Sequence, residues 1–470
     1  MHPIPPMPRS LRRAALALLA VVAAASPVRA QETLDVRYRA DAERLIHAAL
    51  SDSFAWQRLA TLTDRFGHRL SGSDALERSI DWAMEEMRRD GLQNVRGEPV
   101  MVPHWVRGEE SAELLAPRAQ PLHMIGLGGS VGTPAGGITA DVLVVGSEEE
   151  LRARGAEARG KIILFDVPFT TYGESVRWRS LGAIAAARAG GVAALIRSVS
   201  SFSMQNPHTG SMRYFDTTVV RIPAAALSVE DAMILHRMQG RGERIRVRLS
   251  MGARTLPDAP SRNVVAEIVG RERPDEVVVV SGHLDSWDVG QGAMDDGGGS
   301  VAAWEAVRLM QRLGLRPRRT VRVVLWTNEE NGLRGGTAYR DQHRGELEKH
   351  VLAMESDNGV FRPHGFRFQG PDASLPLMRQ IARLLEPIGA GRMIKGDGEA
   401  DVGPMLALGV PGLALDVEQE KYFWYHHSSA DTMDKLDPAD IARCVAAMAV
   451  AAYIVADMPG TIPHEVPAQR

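Results

Sequence analysis

Three short apolar runs in the second half of the chain, residues 277–281, 321–327 and 351–355, lead directly into acidic or histidine residues. Runs of this length that are rich in valine are typical of strands buried on both faces. Apolar residues at helical spacing lie between and after them, and the predicted helices are 298–313, 375–385 and 438–457. Strands that alternate with helices favour an α/β fold with a mixed, mostly parallel sheet flanked by helices.

Polar side chains follow each of these runs at its carboxyl end. His283 and Asp285 follow the first run, Glu329 and Glu330 follow the second, and Asp357 follows the third. Ligands of open α/β sheets bind outside the carboxyl ends of the strands. We therefore expect these side chains to converge, although they are far apart in sequence.

Two further segments are predicted to reach the same edge of the sheet. A glycine-rich loop at 292–299 carries Asp295 and Asp296 just before a helix, and His426 and His427 follow the last predicted strand. Histidine and carboxylate ligands suit zinc and related divalent ions, including manganese and cobalt. Adjacent histidines are expected to point apart, so only one of them can readily be the ligand. The spacing to Asp431 and Thr432 favours His427, and His426 is predicted to be a pocket residue.

The number of carboxylates predicted at this edge has its own consequence. Acids crowded into a cleft repel one another and raise each other's pKa values unless cations neutralise them. A bridging carboxylate can hold two divalent ions ~3.5–4 Å apart, and one acid must stay uncoordinated as the general base. The sequence therefore predicts two divalent metal ions, with zinc as the first choice.

The N-terminal segment, the charge and the cysteine content of the chain limit the function classes. Three arginines, an apolar run at 14–25 and small residues before Gln31 predict a signal peptide over 1–30, hence a secreted or periplasmic protein with no membrane span after cleavage. The chain has 55 basic and 58 acidic residues, well mixed, so no basic stripe indicates a nucleic-acid partner. The single cysteine, Cys444, lies in an apolar helical pattern and is predicted to pack in the core.

Residues 122–256 differ in character from the rest. Glycine-rich turns are followed by short β-runs and a small-residue helix predicted at 181–189, without a cluster of acids and histidines. We interpret this region as an inserted α/β domain. The predicted organisation is a signal peptide (1–30), an N-terminal part of the main domain (31–121), the insertion (122–256) and the metal-binding part (257–470).

Several motifs resemble the M28 family of co-catalytic metallopeptidases, and within it the carboxypeptidase Q branch. They are the Arg-Phe-Gly-His-Arg-Leu-Ser-Gly-Ser segment at 65–73 and the whole run 281–299, and the resemblance extends from about Gln31 to the C-terminus. The resemblance implies a zinc-exopeptidase fold with a protease-associated insertion. It also implies a homodimer and short peptide substrates, dipeptides in particular.

The resemblance further implies a role for each site residue. It makes Asp295 the ligand shared by both metals and Glu329 the general base, and the remaining implied ligands are His283 and Asp357 for the first metal and Glu330 and His427 for the second. Asp285 would hold the other ring nitrogen of His283. The peptide bond between Asp295 and Asp296 is expected to be cis.

The terminus of the substrate stays open at this point. A carboxypeptidase or dipeptidase is preferred, and an aminopeptidase of the same family is the alternative, because the same ligand set serves both. The more distant alternatives are a glutaminyl cyclase-like acyltransferase and a non-catalytic binding ectodomain. The roles of Tyr422 and Tyr425 also stay open between pocket lining and packing.

Overall fold

The structure is a computed structural model that describes residues 33–465, so the signal peptide predicted at 1–30 lies outside the described residues. The strands are β1 (Gln93–Val106), β2 (Glu110–Ala116), β3 (Gln120–Leu122), β4 (Met124–Gly126), β5 (Ile138–Val145), β6 (Ile162–Phe165), β7 (Ala193–Arg197), β8 (Ala224–Leu227), β9 (Arg246–Met251), β10 (Arg254–Ile268), β11 (Arg273–His283), β12 (Arg319–Trp326), β13 (His350–Glu355), β14 (Pro363–Gln369), β15 (Arg392–Lys395) and β16 (Gly412–Val417). The α-helices are α1 (Leu34–Arg37), α2 (Arg39–Ser51), α3 (Phe54–Phe66), α4 (Asp74–Arg89), α5 (Glu148–Ala153), α6 (Gly155–Ala158), α7 (Tyr172–Arg188), α8 (Val229–Gly240), α9 (Gly298–Arg312), α10 (Arg334–Gln342), α11 (Leu375–Arg383), α12 (Gly403–Leu406), α13 (Tyr422–Tyr425) and α14 (Pro438–Asp457).

The first sheet has eight strands in the order β1-β10-β12-β11-β13-β16-β14-β15. Its centre is parallel, since β11 pairs with both β12 and β13, and β13 pairs with β16. Antiparallel pairs lie on either side of this centre. The valines at 277–280 are buried, as expected for a strand covered by helices on both faces. The predicted fold class, a mixed and mostly parallel sheet flanked by helices, is confirmed.

The closing helix α14 matches its predicted range of 438–457. Within residues 33–465 it is the one helix long and apolar enough to cross a membrane, but 83% of its most apolar window is buried inside the fold. It packs against α2 and α9. Cys444 is buried in this helix, and its thiol donates to the carbonyl of Phe361 at 3.2 Å. The apolar pattern therefore serves the core of the protein.

A second eight-stranded sheet, in the order β3-β2-β9-β5-β6-β7-β8-β4, is built from residues between Glu110 and Met251. Its strands β5 to β8 are parallel, with helices between β5 and β6 and between β6 and β7, which gives a small α/β unit of its own. The sheet starts before residue 122, because β2 and β3 pair with each other and β2 pairs with β9. We propose that this second sheet and its helices form the inserted domain.

The helix predicted at 181–189 is longer than its apolar pattern suggests. It starts at Tyr172, where the hydroxyl of Thr171 accepts from the amide of Glu174 and caps the first turn. The first half of α7 has few apolar residues, so hydrophobic periodicity alone does not reveal it. This extra length brings two of its side chains to the site described below.

Candidate metal centre

The parallel register of the central strands brings the predicted site residues together. His283 is the last residue of β11 and lies opposite Trp326 of β12, so that Glu329 follows on the neighbouring strand. On the other side of β11, Ser281 pairs with Glu355 of β13, which places Asp357 at the same edge. The three strand ends therefore supply adjacent side chains, as their sequence positions predict.

Asp295 lies at the middle of the cluster and faces two separate groups. Its Oδ1 is 3.3 Å from Nε2 of His283, and that same nitrogen is 3.3 Å from Oδ1 of Asp357. The other oxygen, Oδ2, is 3.2 Å from Nε2 of His427, which is 3.0 Å from Oε2 of Glu330. Two histidine–carboxylate groups thus share one carboxylate.

Three of the atoms that face one another in this cluster have no hydrogen-bond partner among the described residues. Nε2 of His283, Oδ2 of Asp295 and Oε2 of Glu330 are buried and unpartnered among the described residues. A buried polar atom without a partner is costly, so such a group indicates something that the protein atoms do not supply. Imidazole nitrogen and carboxylate oxygen are the donors that zinc accepts, so the residues present fit such a metal ion.

Glu329 also lies in this cluster, in a cavity of 260 Å³. Burial of its carboxyl group and the negative charge of the neighbouring Asp357 together raise the pKa of Glu329 to about 8. The cavity is lined by Tyr172, Arg179, Asp295, Glu329, Glu330, Asp357, Asn358, Glu399, Tyr422, Phe423, His426 and His427. Tyr422 lines the cavity and also packs in the hydrophobic core.

The loop that carries Asp295 is held from two sides. The peptide bond between Asp295 and Asp296 is cis, as the resemblance predicts. Asp431 accepts from the amides of Ala293, Met294 and Asp295 at 2.9, 2.8 and 3.3 Å. Its carboxylate therefore caps this loop.

Arg69 supports the same loop from beneath and is fully buried. Its guanidinium donates to the carbonyls of Leu284, Gln291 and Gly292 at 2.7 to 2.8 Å. Burial lowers the pKa of this arginine to about 10, while the surrounding acids oppose the shift. A cation that is both buried and saturated with carbonyl acceptors fixes the backbone between β11 and α9.

Asp285 does not hold His283 in the predicted way. Nδ1 of His283 is 2.9 Å from the main-chain carbonyl oxygen of Asp285, whereas the Asp285 carboxylate is 3.8 Å away. That carboxylate instead accepts from the amides of Glu329 and Glu330 at 3.0 and 3.4 Å. Asp285 therefore orients the ring through its backbone and the neighbouring strand end through its side chain.

The two adjacent histidines also differ from expectation, because they do not point apart. The rings of His426 and His427 are stacked with centroids 3.5 Å apart, and both Nε2 atoms face Oδ2 of Asp295, at 3.5 and 3.2 Å. His427 has a left-handed backbone with φ of 58°, which turns both rings to the same side. His427 alone also contacts Glu330, which favours it as the ligand.

Sequence reasoning missed Tyr172 and Arg179, which come from the second sheet unit. Nη1 of Arg179 is 3.3 Å from Nδ1 of His427, and its Nη2 donates to the Tyr172 hydroxyl at 2.8 Å. The amide of Thr209 donates to the carbonyl of His427 at 2.8 Å. No motif marks these residues, and only the packing of the two units brings them to the metal cluster.

Comparison with known proteins agrees with this geometry. The model of peptidase family M28 matches residues 263–452. Carboxypeptidase Q of Mus musculus is 47% identical over 430 residues, which is 91% of each chain, and that of Bos taurus is 49% identical over 410 residues, 87% of each. The chain belongs to peptidase family M28. Its family and its carboxypeptidase relatives identify this M28 peptidase as a metallo-exopeptidase.

Solved structures show the same fold for this M28 peptidase. A peptidase M28 precursor from Shewanella amazonensis has a TM-score of 0.89 and 36% identity, covering 93% of this chain and all of the other. BSAP, a zinc aminopeptidase from Bacillus subtilis, has a TM-score of 0.66 at 20% identity, covering 88% of this chain and 98% of the other. The second similarity concerns the fold alone.

We predict that Asp431→Ala weakens metal binding while Asp434→Ala does not. Asp431→Ala removes the acceptor of three buried amides in the loop that carries Asp295, whereas Asp434 is an exposed residue of the same segment. Loss of such a supporting group lowers metal affinity by about 10- to 100-fold. Metal titration of both chelator-treated variants measures this, and equal affinities would show that the loop does not need Asp431.

We also predict that the metal-free protein becomes less stable as the pH rises. The folded pKa values of Glu329, about 8, and Asp431, about 7, lie above their ordinary values, so both groups favour folding while protonated. That stability is lost as the pH rises through 7 and 8, whereas the buried His427, with its pKa lowered to about 4, acts at lower pH.

The measurement is a thermal melt of chelator-treated protein between about pH 6.5 and 8.5, with zinc added back at the upper pH. The melting temperature should fall across this range and recover with zinc, because cations replace the protons. A metal-free protein that is equally stable at both ends would contradict the prediction.

Proposed function

We propose that this chain is a secreted two-metal exopeptidase that hydrolyses short peptides, with a carboxypeptidase or dipeptidase specificity. The observation that carries the proposal is the position of Asp295, whose two oxygens face His283 and His427 separately. One carboxylate between two groups of ligands is the arrangement expected for a pair of divalent ions.

The proposed ligands form two sets that share one residue. His283, Asp295 and Asp357 would hold the first ion, and Asp295, Glu330 and His427 would hold the second. We propose zinc for both because each set joins an imidazole to carboxylates. Bound divalent ions supply Lewis acidity, which polarises a scissile carbonyl and makes a water molecule easier to deprotonate.

Glu329 is the proposed general base. It lines the cavity beside the ligands, and its main chain is fixed by the bond from its amide to Asp285 at 3.0 Å. The carboxylate accepts a proton from the attacking water and then gives it to the nitrogen of the departing amine.

The relatives support a carboxypeptidase specificity over an aminopeptidase one. The curated relatives named above, at 47% and 49% identity, are described as carboxypeptidase Q, whereas the aminopeptidase BSAP is 20% identical. The complete set of ligand positions also argues against a binding ectodomain. The two proposed ligand sets and the proposed inserted domain also argue against a cyclase-like acyltransferase.

We predict that Glu329→Gln abolishes turnover without removing the metals. The amide keeps the shape of the side chain but cannot accept the proton, so kcat should fall by about 100- to 10,000-fold. Elemental analysis of the variant should still find two ions per chain. Glu348→Gln, at an exposed position remote from the cavity, is the matched control and should keep full activity.

Two results would contradict these assignments. Undiminished activity of Glu329→Gln would remove Glu329 as the base. One ion per wild-type chain at saturating zinc would remove the two-metal proposal.

We propose export because residues 1–30 have the composition of a signal peptide. The prediction is that the protein recovered from the periplasm or medium begins at or near Gln31. Mass spectrometry of its N-terminus measures this, and retention of residues 1–30 in the exported protein would contradict it. We also propose a homodimer, and the molecular mass of the protein in solution tests this proposal.

A further inference from the structure

The two proposed metal sites are held by different parts of the chain. For the first site, Nδ1 of His283 is 2.9 Å from the main-chain carbonyl oxygen of Asp285. The segment that carries Asp357 is fixed in the same sheet, because the amide of Ser356 donates to the carbonyl of Ser281 at 3.1 Å. The ligands of the first site are therefore positioned by the main sheet and its own loops.

The second site is bonded to the second sheet unit, residues 110–251. His427 has a left-handed backbone, which a residue with a side chain keeps only where its surroundings hold it. The amide of Thr209 donates to the carbonyl of His427 at 2.8 Å. In the next residue, Oγ of Ser428 accepts from Nδ2 of Asn206 at 2.7 Å. The turn that carries the ligand is thus bonded twice to the second sheet unit.

Thr209 is itself fixed on several sides and is fully buried. Its hydroxyl donates to the carbonyl of Gly126 at 2.8 Å and accepts from Nη2 of Arg107 at 3.3 Å. Its carbonyl accepts from Nη1 of Arg179 at 3.4 Å. Buried polar groups whose hydrogen bonds are made are held rigidly. The hydroxyl of Thr209 therefore fixes the direction of the amide that binds His427.

Glu330, the other unshared ligand of the second site, is linked to the same unit through Trp287. The amide of Trp287 donates to Oε1 of Glu330 at 3.1 Å. The indole ring lies against Gly128, where a Cβ would come within 1.9 Å of the ring. Arg107 adds a charged link beside it, because its guanidinium donates to both carboxylate oxygens of Asp288. Both unshared ligands of the second site therefore depend on how the two units pack.

We propose that the second sheet unit sets the affinity for the second metal ion, and that Thr209 is the positioning residue through which it does so. This proposal rests on the two-metal function proposed above. It predicts an unequal effect, in which loosening Thr209 weakens the second ion, at His427, and leaves the first ion, at His283, in place. Groups that support a metal ligand from behind change metal affinity by about 10- to 100-fold when they are removed.

Zinc titration of chelator-treated protein, in competition with a chelator of known affinity, is the first test. Thr209→Val keeps the shape of the side chain and removes its hydroxyl. We expect the affinity for one ion to fall by roughly 10- to 100-fold and that for the other to change by less than about 3-fold. Thr209→Ser, which keeps the hydroxyl, should resemble wild type. Thr217→Val, the same change at an exposed position of the same unit, is the matched control and should also resemble wild type.

Variants that lack one proposed site identify the ion that is weakened. Thr209→Val is combined with His283→Ala, which leaves the second site, and with His427→Ala, which leaves the first. It should lower the zinc affinity of the first combination by roughly 10- to 100-fold and leave that of the second unchanged. Equal weakening in both combinations would show a general loosening of the fold and would overturn the proposal.

Asn206→Ala is the second variant and keeps the test open if Thr209→Val does not fold. It removes the bond to Ser428 and should weaken the same ion. Hydrolysis of alanyl-alanine by either variant should fall at limiting zinc and return at saturating zinc, because a higher concentration offsets a lower affinity. Activity that stays low while both ions are bound would overturn a role of Thr209 in metal affinity.

The outcomes also separate this proposal from the proposed function. Wild-type protein that binds two ions, together with variants whose two affinities are unchanged, would overturn the role of Thr209 and leave the two-metal peptidase intact. Wild-type protein that binds one ion at saturating zinc would overturn both.

Discussion

The repulsion among buried carboxylates is the constraint on which the rest of this structure depends. Asp295, Glu330 and Asp357 converge with Glu329 at one sheet edge, and Oδ2 of Asp295 and Oε2 of Glu330 have no hydrogen-bond partner among the described residues. Such a group is stable only if positive charge is brought in, by protons or by cations. The fold therefore needs positive charge at this edge of the sheet in addition to its own side chains. This need for cations is the physical basis of the metal centre.

The backbone around Asp295 is fixed by hydrogen bonds that hold this carboxylate at the metal centre. Asp296 accepts from the amides of His283 and Gly299 at 3.0 and 3.1 Å, which ties the loop to the end of β11 and to the start of α9. Gly282 permits this approach, because a Cβ at that position would lie 2.6 Å from Oδ2 of Asp296. Much of the glycine content of this segment thus reflects close packing of backbone and carboxylates.

Features that follow from strand order were predictable, and features that follow from packing between units were not. Valine runs ending in His283 and Glu330 define both the sheet and its ligand edge, so the fold class and the convergence of the site could be predicted from sequence. The stacking of His426 on His427 depends on one left-handed residue, which the letters do not specify. Arg179 reaches the cavity only through the docking of two sheets, and periodicity carries no signal for that.

The packing of α7 against the metal centre affects the stage of folding at which the active site is complete. The site draws on Arg69 near the start of the described chain, on Tyr172 and Arg179 in its middle and on His427 close to its end. Contacts across such long separations form late in folding, because the loops between them must close first. A partly synthesised or partly folded chain has no complete site. The peptidase is therefore active in the cell that makes it only after the whole chain has folded.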